Sequence, residues 1–175
     1  TVTGTPASSA TAITTNGRYV FAAFGTNGIY RVDVTSPSSA TQIATMSGAN
    51  SCNGLWFNNG RLFASQTVGV LNEVTETTAT VLATAYSASQ NYALMTTNDS
   101  THIMRYTPGW TWTASDAIGA YHYFGGYYND KSLIYKTTLA DTQTTKLAAP
   151  TVALQMPDGE YVTCLNAYLG YMFVG

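Results

Sequence analysis

Residues 55–65 read LWFNNGRLFAS, which is two apolar runs joined by the pair Asn59-Gly60. The same phrase can be laid over residues 165–175, LNAYLGYMFVG, without a gap, and a shorter version, NGRYVFAA, stands at residues 16–23. Each copy places turn-forming residues before a run of apolar, β-branched or aromatic residues, which is typical of a strand that begins after a tight turn. A phrase that returns every few tens of residues indicates a repeat architecture.

The spacing of the turn glycines indicates the size of the repeat. Gly17 matches Gly60 and Gly28 matches Gly69, so one unit spans about 42 residues and has room for four short strands, the size of a β-propeller blade. Thr26-Asn27-Gly28 is predicted to form the type I′ turn of the first hairpin. We therefore predict an all-β fold, a partial β-propeller of about four blades plus the start of a fifth, built from antiparallel four-stranded meanders. A twisted stack of meanders that never closes is the alternative.

The predicted blades follow one another in a single all-β region over residues 1–175. Their bounds are about 3–47, 48–86, 87–118 and 119–155, and the start of the next blade covers 156–175. Helices are disfavoured because no window keeps apolar residues at positions i, i+3, i+4 and i+7 over three turns. Four blades and the start of a fifth cannot close a ring, because an unpaired strand edge would remain at each end. We therefore expect the chain to be an interior piece of a longer protein.

Composition excludes several classes of function. Charged residues make up 9% of the chain, against about 25% in ordinary soluble proteins, and the net charge is −2 without a basic stripe. Nucleic-acid binding is therefore not expected. No apolar run approaches the ~20 residues of a membrane span, so membrane insertion is not expected either.

No cofactor, metal site or catalytic centre is predicted, and we expect no enzymatic activity. His102 and His122 stand alone on short predicted strands, where a packed or surface role is expected rather than metal binding. Most carboxylates lie in or beside turns, where Asp bonds to its own backbone. Asp99 and Asp130 lie at loop tips but lack the repeated ligand runs of a calcium site.

The two cysteines, Cys52 and Cys164, occupy neighbouring positions of matching repeats, where Cys164 aligns with Gly54. We expect two buried free thiols, because free cysteine behaves as a small hydrophobic residue. A disulfide between them is the alternative, although no short cysteine framework supports it. No neighbouring motif supports a nucleophilic pair of cysteine and histidine.

Aromatic residues in the second half of the chain are the candidate interface or glycan-stacking site, since Tyr and Trp rings combine apolar area with a polar tip. The alternative is that alternate rings fill the space between blades, and for the two tryptophans this core role is favoured. The candidate residues are Trp110, Trp112, Tyr121, Tyr123, Tyr127 and Tyr128.

Several stretches resemble propeller-like virion proteins of tailed bacteriophages, especially minor tail proteins of phages that infect actinobacteria. They are CNGLWF at 52–57, NGRLFAS at 59–65, DKSLIY at 130–135, PDGEYV at 157–162 and the closing Gly170-Tyr171. The resemblance implies a structural or host-contacting role in the phage tail, without enzymatic activity. The partners it implies are other virion or tail subunits, further copies of this chain in a homo-oligomer, and a host surface glycan or receptor. A secreted or cell-surface propeller that binds or hydrolyses glycans is the open alternative, with an extracellular location.

Overall fold

A computed structural model describes residues 2–45, 51–66, 71–74, 90–92, 111–138 and 151–175. Within these ranges the regular elements are short β-strands. They are β1 (Ala12–Thr15), β2 (Tyr19–Ala23), β3 (Ile29–Asp33), β4 (Ala40–Ala44), β5 (Cys52–Asn58), β6 (Arg61–Gln66), β7 (Leu71–Val74), β8 (Gln90–Tyr92), β9 (Thr111–Ile118), β10 (Tyr121–Tyr128), β11 (Lys131–Thr138), β12 (Thr151–Gln155), β13 (Leu165–Tyr168) and β14 (Tyr171–Val174).

Within each sheet, strands that follow one another in the sequence also lie side by side. The first sheet is ordered β1-β2-β3-β4, the second β5-β6-β7-β8 and the third β9-β10-β11-β12, and β13 pairs with β14 as a hairpin. All pairings in the first and third sheets and in the hairpin are antiparallel. This is the succession of antiparallel four-stranded meanders that the sequence predicts, and the all-β fold class is confirmed.

The repeated phrase folds alike in its two full copies. Strands β5 and β6 pair in the same register as β13 and β14, which confirms the gap-free alignment of residues 55–65 with 165–175. The turn residues have positive φ angles, 47° and 76° at Asn59-Gly60 and 49° and 81° at Leu169-Gly170. Two consecutive positive φ angles define the type I′ turn, whose twist matches that of paired strands.

The prediction of a type I′ turn at residues 26–28 is wrong. The connection from β2 to β3 is longer, closed by a bond from the Phe24 amide to the Gly28 carbonyl (2.9 Å), and Asn27 does not have a positive φ. Gly28 has φ 93°, and a Cβ there would lie 2.2 Å from the carbonyl oxygen of Ala44. Glycine is needed at this position because β4 passes so close to the turn.

The strand assignment also moves one predicted blade boundary. Residues 111–118, placed in the third predicted blade, form β9 and pair with β10 across the turn at Gly119, so they belong with 119–155. The tight turn brings the two strands together because Gly119 accepts a φ of 57°. Most of the predicted third blade, residues 93–110, lies outside the described residues, and β8 at its start joins the second sheet.

The chain divides into two compact units. The first unit is Thr1–Thr67 with Asn72–Asn91, and the second is Val68–Leu71 with Tyr92–Gly175. In the first unit the first and second sheets enclose a core of buried apolar side chains, namely Phe21, Ala23, Ile29, Ile43, Ala44, Cys52, Leu55, Leu62, Ala64 and Val74. In the second unit Ala114, Ile134, Val162 and Leu165 form the core between the third sheet and the hairpin.

Candidate functional site

The hairpin β13–β14 is hydrogen-bonded to the third sheet through β13 and the residues just before it. The hydroxyl of Thr113 donates to the Val162 carbonyl (2.5 Å), and the Ala167 amide donates to the Oδ2 atom of Asp116 (2.5 Å). The Val162 amide donates to the Ser132 hydroxyl (3.0 Å). These bonds hold β13 beside β9 and leave β14 as the outer strand of the hairpin.

The outer part of the hairpin exposes a set of large apolar side chains. We call Tyr168, Leu169, Tyr171 and Phe173 the hairpin patch, and each of these residues is between 57% and 78% exposed. No charged residue follows Glu160 in the sequence, so the hairpin and its approach are uncharged. Contiguous exposed apolar surface of this kind marks sites of protein–protein contact.

Next to the hairpin, an open cleft of about 450 Å³ lies between β14 and the third sheet. Met172 and Val174 form one wall, while Tyr123, Ile134 and Lys136 with residues 151–154 form the other. Lys136 supplies the charge in this lining, and its Nζ atom lies 4.2 Å from the centre of the Tyr121 ring. The cleft is therefore an apolar surface bordered by one cation.

The predicted aromatic set does not form one platform. Trp112 is buried against Phe124 and Tyr135, with ring centres 6.3 and 6.2 Å apart, so its ring is not available to a surface ligand. This is the core position that the sequence favours for it. Trp110 lies outside the described residues.

The tyrosines of the set fall at two ends of β10. Tyr121 is exposed beside Lys136, and Tyr123, two residues further on, is half-buried in the cleft wall. At the other end, Tyr127 packs edge-on against Tyr161 with ring centres 5.0 Å apart, and Tyr128 is half-buried. The structure brings Tyr123 into the cleft wall, places Tyr121 beside Lys136 and directs Tyr127 to a different contact.

His122 is a packed residue, as the sequence predicts. It is buried and its ring lies nearly parallel to that of Phe124, with centres 6.4 Å apart. His102 and Asp99 lie outside the described residues. Asp130 lies at the exposed turn between β10 and β11, where its backbone carbonyl accepts a bond from the Gly159 amide (3.1 Å).

Both cysteines are free thiols, but only one is buried. Burial raises the pKa of the Cys52 thiol to about 12, against an ordinary value of 9.0, and outweighs a backbone hydrogen bond with Gly54 that lowers the pKa. A thiol with such a pKa is protonated at neutral pH and is a poor nucleophile. Cys164 is exposed, so the prediction of burial is wrong for it, because the hairpin leaves this side uncovered.

In the described part of the chain, no cluster of three or more His, Cys, Asp or Glu residues has the geometry of a metal site. The same residues contain no helix long and apolar enough to cross a membrane. Among the described residues, the surface features best suited to a function are the hairpin patch and the cleft. The sequence analysis missed both, although the uncharged, aromatic stretch at 161–175 signals them.

Comparison with known proteins identifies the fold of the chain but no family. No family model and no curated protein matches the chain. Among solved structures it is similar to the computationally designed Ika4 protein (TM-score 0.57, 14% identity, 100% of this chain and 89% of that one) and the designed Ika8 protein (0.57, 14%, 99% and 44%). It is also similar to BamB from Moraxella catarrhalis (0.51, 13%, 93% and 39%). These neighbours have propeller folds, which agrees with the succession of four-stranded meanders described above.

Proposed function

We propose that this chain is a non-enzymatic structural subunit of a bacteriophage virion, a tail protein whose β-propeller sheets serve as a rigid scaffold for neighbouring subunits and contact the host surface. The observation that carries this proposal is the hairpin patch. Four large apolar side chains on one hairpin, without a charge from 161 to 175, form a surface suited to another protein.

Two further features support a scaffold role. The sheets are joined by buried apolar cores and by side-chain bonds to backbone, such as that from Thr113 to Val162, which favours rigidity. Two of the groups that the sequence analysis considered for chemistry are unsuited to it, because His122 is packed and the raised pKa of the buried Cys52 thiol keeps it protonated. The resemblance to phage tail proteins supplies the virion setting.

The experiment is immunogold electron microscopy on particles of the phage whose genome encodes this chain. We expect antibodies against the purified chain to label the tail. Particles that lack the protein by both labelling and mass spectrometry would contradict the virion role. Turnover of a polysaccharide by the purified chain would contradict the non-enzymatic part of the proposal.

Glycan binding is a second candidate, favoured by one observation. The exposed ring of Tyr121 lies beside a cleft that also carries the Lys136 ammonium and the Thr151 hydroxyl, groups that stack on and hydrogen-bond to sugars. A glycan array with the wild-type chain and Tyr121→Ala tests it. Binding that this substitution abolishes supports the candidate, and no binding by the wild type removes it.

A further inference from the structure

The chain before β1 runs along the outer edge of the first sheet. Thr3 forms a parallel bridge with Ser39, in which the Thr3 amide donates to the Ser38 carbonyl (3.0 Å) and the Thr3 carbonyl accepts from the Ala40 amide (2.8 Å). The Thr3 hydroxyl also donates to the Ser38 carbonyl (3.0 Å). Because β4 ends the order of the first sheet among the described strands, these bonds occupy backbone groups at its outer edge.

The same segment is tied to the other end of β4 through the turn between β2 and β3. Asn27 in this turn donates from its side chain to the Ser8 hydroxyl (3.2 Å), and its carbonyl accepts from the side-chain amide of Gln42 (2.9 Å). The Thr11 amide then donates to the Ala23 carbonyl (2.8 Å), just before β1. The segment therefore passes from the β4 edge, around the end of the sheet, to β1 at the opposite edge. We call residues 2–8 the edge strap.

The fit of the edge strap to β4 depends on Gly4. Its φ is 82°, and a Cβ there would lie 2.9 Å from the carbonyl oxygen of Ala40. The strap is mostly exposed, and only Val2 and Pro6 within it are half-buried. Because hydrogen bonds rather than buried apolar side chains hold the strap, it should open locally at a lower free energy than the strands of the core.

The strand beneath the strap has little other protection against pairing with a further strand. Charges, prolines, bulges and covering segments are the usual means by which proteins protect an edge strand. No charged residue lies between Asp33 and Arg61, and β4 contains no proline. Its bulge, at Ile43, interrupts only the end of the strand. At Ala40 the edge strap is therefore the cover.

We propose that the edge strap blocks self-association at β4, so that its release exposes an edge that pairs with the β4 edge of a second copy of the chain. A second copy fits this edge because two β4 strands can pair antiparallel about a two-fold axis, with no like charges brought together. An incoming strand would use the Ala40 amide that now donates to Thr3. The inference goes beyond the proposed function, because it rests on the first sheet rather than on the hairpin patch.

Gly4→Val should release the strap, because it places a Cβ against the Ala40 carbonyl and disfavours the positive φ. In dilute solution we expect the Ala40 amide to exchange roughly tenfold or more faster than in the wild type. Sedimentation velocity should show dimers at concentrations about tenfold or more below those that the wild type requires. Gly17→Val is the matched control, since Gly17 has φ 90° in the β1–β2 turn but a Cβ there meets nothing within 4 Å. Its association should equal that of the wild type.

A charge on β4 tests whether the dimer forms at this edge. Adding Gln42→Lys to Gly4→Val should restore the association of the wild type, because like charges meet when two β4 edges pair. Dimers that persist in the double variant overturn the inference, as does equal association by Gly4→Val and either the wild type or Gly17→Val.

A truncated chain covers the case in which Gly4→Val does not report on the strap. If Gly4→Val loses the β-sheet circular dichroism spectrum, or keeps the Ala40 amide protected, a chain without residues 1–5 takes its place, because it lacks the Thr3 carbonyl altogether. Stronger dimerisation of this chain than of the wild type supports the inference. Association equal to that of the wild type overturns it.

Discussion

The hydroxyl of Thr11 donates a 2.6 Å hydrogen bond to the backbone carbonyl of Cys52, and so joins the start of the first sheet to the start of the second. The same hydroxyl accepts from the Gly25 amide (3.3 Å), whose own carbonyl accepts from the Cys52 amide (3.2 Å). Thr113 makes the equivalent bond to Val162 in the second unit. One threonine therefore links consecutive sheets in both units.

Thr11→Val should lower the free energy of unfolding by about 1–2 kcal/mol, because the carbonyl of the buried Cys52 loses its hydroxyl partner in a partly buried hydrogen bond. Valine keeps the shape and the β-propensity of threonine. The matched control is Thr15→Val, whose hydroxyl bonds the Tyr19 carbonyl within an exposed hairpin and should cost less than about 0.5 kcal/mol. Equal losses in urea titrations of the two variants would refute the linking role.

Leu169→Asn should stabilise the protein. Leu169 has φ 49°, in the left-handed region that costs a leucine roughly 1–2 kcal/mol and that asparagine accepts more readily. Its side chain is exposed, so little packing is lost. We expect a gain of about 1 kcal/mol in chemical denaturation, and a matching loss for the reverse change, Asn59→Leu, in the other hairpin. A lower free energy of unfolding in Leu169→Asn would show that the leucine side chain makes a contact that outweighs the cost of its left-handed backbone.

The two thiols should differ in reactivity. Cys164 is exposed and should react with a disulfide reagent at pH 8 in the native protein, while buried Cys52, with its pKa near 12, should react only after denaturation. Mass spectrometry of the labelled protein identifies the site. The Cys164→Ser variant provides the control, and rapid labelling of that variant in the native state would contradict the burial of Cys52.

Stability should decline in alkaline solution. Burial raises the pKa of Cys52 from 9.0 to about 12 and raises that of Tyr135 as well, so above pH 9 the unfolded chain loses protons that the folded chain keeps. The contribution of Cys52 is fully present below pH 9 and is lost as the pH rises towards about 12. Urea titrations from pH 8 to pH 11 should show that the free energy of unfolding falls less steeply with pH in Cys52→Ala than in the wild type. An equal fall with pH in the two proteins would mean that the Cys52 thiol titrates normally.

The sequence predicts those parts of the fold that depend on local turn chemistry and alternation. Asn59-Gly60 and the aligned Leu169-Gly170 both mark type I′ turns, and a strand begins directly after each pair, as predicted. The strand β1 was missed because Ala12–Thr15 is short and rich in threonine, and tertiary contacts such as its pairing with β2 stabilise it. Local pattern does not determine such tertiary pairing.

The candidate site was predicted less well for a related reason. Composition identifies aromatic residues, but which of them are buried depends on the sheet that covers them. Trp112 is covered by Phe124 and Tyr135, whereas the rings of Tyr171 and Phe173 are exposed. The phrase at 165–175 matches the one at 55–65 in register but not in burial, because exposure depends on the neighbouring strands rather than on the phrase itself.

The central claim is that β13–β14 is the start of a further four-stranded sheet, because it matches β5–β6 in register. The most direct test is amide hydrogen exchange in a chimera that carries residues 23–45 behind Gly175. We expect the amides of Met172 and Val174, which alternate with those that bond to β13, to exchange roughly 100-fold more slowly than in the 175-residue chain, while the amide of Phe173 is protected in both. Unchanged exchange at Met172 and Val174 would contradict the claim.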